Sequence, residues 1–83
     1  LSRPPGVAVL QKFYGLSPAQ ARVTSELMCS GSVEDAALAL NKSVHTVRSH
    51  LQAVYEKIGV DSMAQLFLQI SRNFSGYGHD DSV

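Results

Sequence analysis

His45, Arg48, Ser49 and Gln52 are spaced as i, i+3, i+4 and i+7, the interval that puts side chains on one face of an α-helix. Their chemistry suits the edge of a DNA base pair. An arginine forks onto guanine O6 and N7, a glutamine pairs with adenine, a serine hydroxyl serves either, and an α-helix fits the major groove where these groups lie. Arg48, Ser49 and Gln52 are therefore the expected base contacts. His45, Thr46, His50 and Lys57 offer imidazoles, a hydroxyl and an ammonium for the sugar-phosphate backbone, which fixes register without reading sequence. Taken alone, such residues describe an ordinary solvated helix face, so the elements around them have to carry the argument.

The stretch "SVHTVRSHLQAVYEKIG", Ser43 to Gly59, places Val44, Val47, Leu51, Val54 and Ile58 in steps of three and four. That is one continuous apolar stripe opposite the polar face. Ser43 caps its start and Gly59 suits a left-handed end, which predicts a helix over 44–58. Before it, "SVEDAALALNKS" has Ser32 as a cap, Glu34 and Asp35 at the positive end of the helix dipole, and Ala36, Ala37 and Leu40 for packing. That helix ends near Asn41, only two residues before Ser43, which leaves room for a tight turn and no more. If it crosses a DNA backbone, its acidic first turn must point away from phosphate or cost affinity.

The flanks repeat the same signals. In "LSPAQARVTSELMCSG", Ser17, Pro18 and Gln20 form a capping box with proline at the first helical position. A helix over about 18–29 follows, with Val23, Leu27 and Met28 inward and a stop near Gly31. Ser62 and Gln65 offer a further box for a helix over about 63–73. Val7, Leu10, Phe13 and Tyr14 recur at helical spacing and predict a short leading helix within residues 1–15, otherwise read as a linker or N-terminal extension. "LSRPPG" reads as a connector within a longer protein, and residues 74–83, with "SGYGHDDSV", as a disordered tail.

Eighty-three residues make one small domain with a single modest core. Seven Lys plus Arg balance seven Asp plus Glu, yet 41–57 holds three cations, Lys42, Arg48 and Lys57, against Glu56. Charge is segregated along a neutral chain. Cys29 is the only cysteine, at a position read as buried, so no disulfide or cysteine-based zinc site is available and a reducing cytoplasm is expected. His45 and His50 lie about 140° apart around a helix, too far for one metal. No apolar run approaches the roughly 18 residues of a membrane span. No nucleophile, base and acid constellation is readable. The expectation is an all-α binding module with no cofactor, no metal and no enzymatic activity.

With these residues in place, the chain resembles the LuxR/GerE-type helix-turn-helix domain of bacterial transcription regulators, without a gap from Leu16 to about Leu66. "LSP" resembles the family's L-T-P, Thr46 and Val47 its T-V, His50 and Leu51 its H-L, and "VYEKIGV" its I-Y-x-K-L-G-V. Ser62, Gln65 and Leu66 resemble its S-R-T-Q-L ending. Gln20, Arg22, Ser30, Ala36, Lys42 and Met63 depart from the pattern. The resemblance implies a four-helix domain over 16–73 with its helix-turn-helix proper at 33–52 and base contacts at Arg48, Ser49 and Gln52. It also implies double-stranded DNA with an inverted repeat as partner, and RNA polymerase as a further one. The regulatory half of such proteins has no counterpart in these residues.

Met63, Phe67, Ile70 and Phe74 form an apolar strip on the last predicted helix. Either it packs on residues 7–14 of the same chain, or it is the surface of a two-fold homodimer, as the resemblance implies. The other functional class compatible with the neutral charge and the acidic second helix is a helix-turn-helix fold kept for protein contact, with weak or no DNA binding.

Overall fold

The computed structural model describes residues 6–74, all of whose regular structure is helical: α1 (Val7–Tyr14), α2 (Pro18–Ser30), α3 (Val33–Leu40), α4 (Val44–Ile58) and α5 (Met63–Asn73). No strand occurs among the described residues. The leading segment is thus a helix, and α4 and α5 have the limits expected from the sequence. The expected tail beyond Phe74 and most of the expected connector lie outside the described residues.

Four serines start four helices. Ser17, Ser32, Ser43 and Ser62 each accept, on the side-chain oxygen, the backbone N–H three residues on, at 3.1, 3.1, 3.1 and 3.2 Å, satisfying a donor that the helix itself leaves free. At Ser17 the box is complete, because the Ser17 N–H donates back to Gln20 Oε1 at 3.0 Å. At α5 the return bond shifts by one residue: Gln65 Oε1 accepts from the Asp61 N–H at 2.8 Å. The joint between α3 and α4 is closed by Asn41, the one non-glycine residue at positive φ (56°) among those described. A short amide side chain tolerates that conformation, and it lets Lys42 N–H donate to Ala37 O at 2.9 Å, which turns the chain within three residues.

The core gathers one or more residues from every helix: Leu10, Ala21, Val23, Leu27, Ala36, Ala37, Val47, Leu51, Val54, Leu66 and Ile70, with Leu16 from the loop before α2. Helix α2 is central, packing against α1, α3 and α4. The paired alanines of α3 are both buried, and their small side chains admit close approach of the helix backbone. Thr24 is fully buried on α2; its hydroxyl donates to Gln20 O at 2.9 Å, so no donor is left stranded.

Two expectations need correction. Cys29 is exposed: the buried side of α2 is set by Val23 and Leu27, and a residue two beyond Leu27 lies about 200° round the helix. Ile70 is fully buried within the chain, because it shares its face with Leu66, also fully buried. It therefore offers nothing to a partner. Of the proposed strip, Met63, Phe67 and Phe74 are partly buried against the core. Phe74 meets Phe13 edge-on at 5.1 Å between centroids and Tyr14 at 6.3 Å, while Asn73 Nδ2 donates to the Tyr14 hydroxyl at 2.8 Å. The end of α5 thus meets Phe13 and Tyr14 at the end of α1.

Candidate nucleic-acid interface

Helix α4 separates its two faces as its periodicity requires. Val47, Leu51 and Val54 are buried, with Val44 and Ile58 half-buried beside them. His45, Arg48, Ser49 and Gln52 are all exposed, and Thr46 and His50 are half-buried at the margins. The three expected base contacts therefore stand together on an open helix face. Thr46 is held at the start of the helix, where its Oγ1 accepts from the Ser43 hydroxyl at 3.0 Å; its own hydroxyl hydrogen remains available to another acceptor.

One side of this face is a shallow groove lined by Val33, Arg48, Leu51, Gln52 and Tyr55. Burial pushes the Tyr55 phenol above its ordinary pKa. Across the groove from α3 comes Glu34, whose Oε2 lies 3.9 Å from Arg48 Nη2. Glu34 thus points toward the exposed face of α4, so the acidic first turn of α3 does not turn away from the candidate interface, as an approach to phosphate would require.

Lys57 is exposed, as a phosphate contact would need, and also makes bonds within the chain. Its ammonium donates to Gly15 O at 3.1 Å and to Gln20 Oε1 at 2.9 Å, tying the end of α4 to the α1–α2 loop and to the first turn of α2. Gln20 Oε1 already accepts from Ser17 N–H, so one amide oxygen serves both the cap and the clamp. The partners lie 42 and 37 residues away in the chain, and nothing in local spacing announces them. Lys57→Met, which keeps the stem and removes the charge and donors, should lower stability by about 0.5–1 kcal/mol. Urea unfolding followed by circular dichroism measures it; an unchanged midpoint would show the clamp to be idle.

No protein-family model, curated protein or solved structure matches this chain. Among the described residues, no helix is long and apolar enough to cross a membrane.

Proposed function

We propose that this chain binds duplex DNA in a sequence-specific manner, as the output domain of a bacterial transcription regulator of LuxR/GerE type. In this reading α3, the turn at 41–43 and α4 form a helix-turn-helix with α4 in the major groove. The observation that carries it is the joint exposure of Arg48, Ser49 and Gln52 on one face of a helix whose other face buries Val47, Leu51 and Val54. Arg48, Ser49 and Gln52 contact bases; His45, Thr46 and His50 contact the backbone. Lys57, exposed and bonded to Gly15 O and Gln20 Oε1, keeps one N–H for a phosphate. Met63 and Phe67, half-buried on one side of α5, supply the homodimer surface that would set two α4 helices roughly 34 Å apart on an inverted repeat.

Selection of binding sites from a pool of random duplexes tests all of this together. An enriched inverted repeat is expected; an enriched single half-site would refute the dimer alone. Affinity should also fall with salt in spite of the zero net charge, by about 0.9 in log–log slope for each phosphate neutralised. No enrichment and a flat salt response would favour the protein-contact reading, whose support is Leu38, an apolar side chain 80% exposed on α3.

A further inference from the structure

Arg48 does not reach the reading face alone. Glu34 stands in the first turn of α3, and its carboxylate ends 3.9 Å from the guanidinium, with the two side chains 64% (Arg48) and 68% (Glu34) exposed. That separation is too long for a hydrogen bond, and an exposed pair of this kind adds little to stability. What it provides is a juxtaposition: donors from one helix and an acceptor from another end side by side over the same face.

A G·C pair displays the complement of that arrangement on its major-groove edge, where guanine N7 and O6 accept and the neighbouring cytosine N4 donates. With Arg48 forked onto the guanine, the adjacent carboxylate meets cytosine N4. We propose that Glu34 is a second base-reading residue, accepting from the cytosine of the same pair whose guanine Arg48 holds. The inference rests on the duplex-DNA reading above. At an A·T pair the positions are inverted, so that the carboxylate faces thymine O4, acceptor against acceptor. Near phosphates the carboxylate is also repelled by every sequence alike. Its contribution is therefore to discrimination and not to affinity, which is how a repulsive group serves specificity.

The test uses the full 83-residue chain and Glu34→Gln, whose amide is similar in shape and can either accept from N4 or donate to O4. Binding is measured by fluorescence anisotropy on the selected duplex, on its G·C to A·T variant at the pair where Arg48→Ala relaxes preference, and on a random duplex. Glu34→Gln should bind the G·C duplex as well as wild type or better, while its preference for G·C over A·T drops about tenfold at that one pair. Equal tightening on all three duplexes with the preference intact would overturn the proposal, since Glu34 would then only repel phosphate. So would a loss of G·C binding that disappears in an Arg48→Ala background, which would make Glu34 a support for Arg48 and not a reader. If wild type itself binds the three duplexes alike, the duplex-reading function fails, and the role of Glu34 with it.

Discussion

Replacing Arg48 by alanine is expected to weaken binding to the cognate duplex by about 1–3 kcal/mol and to relax preference at a single base pair. The side chain is exposed and, among the described residues, makes no hydrogen bond, only the longer-range approach of Glu34. Truncation should therefore leave the fold intact, so a loss of binding reports on the interface. Competition between cognate and random duplexes separates the two roles an arginine can play. A base contact is lost on the cognate duplex only, whereas a phosphate contact is lost on both. Equal losses would remove Arg48 from the base-reading set and leave Ser49 and Gln52 to carry specificity.

The second large effect lies far from that face. Leu10→Ala should cost about 2–5 kcal/mol, a large share of the roughly 5–15 kcal/mol that holds a small domain together. Leu10 is completely buried, the one fully buried residue of α1, and α1 packs on the central α2. The same substitution in a detachable leader would cost almost nothing. Thermal or urea unfolding decides between a leader and a structural helix, and a shift of less than about 0.5 kcal/mol, the ordinary range for surface changes, would place α1 outside the cooperative unit.

Helix limits were legible because the signals for them are local. Ser17 with Gln20, Ser32 with Asp35 and Ser43 with Thr46 each act across three residues, a range that periodicity and capping rules cover. The exposed face of α4 was legible for the same reason: a stripe of Val47, Leu51 and Val54 dictates what must lie opposite. What escaped depends on the packing of distant segments. Cys29 is different: its place about 200° round α2 from Leu27 was readable from spacing alone, and its type, a residue more often buried, outweighed that spacing. Ile70 could belong to either of two faces until the core claimed it. The bonds of Lys57 to Gly15 and Gln20 were not legible, because the tertiary fold brings those partners to it. Glu34 was readable as a helix-start acid, but its approach to Arg48 depends on how α3 lies beside α4.

The four serine caps have a kinetic meaning as well. Each closes over only three residues, so the start of α2, α3, α4 and α5 is specified before any distant part of the chain has arrived. Little loop entropy has to be lost to form such contacts, and helical domains dominated by them fold in microseconds to milliseconds. The longer connections, Lys57 to the α1–α2 loop and Asn73 to Tyr14, can then close after the helices exist. A mutation at either of these belts should accelerate unfolding and leave the folding rate nearly untouched.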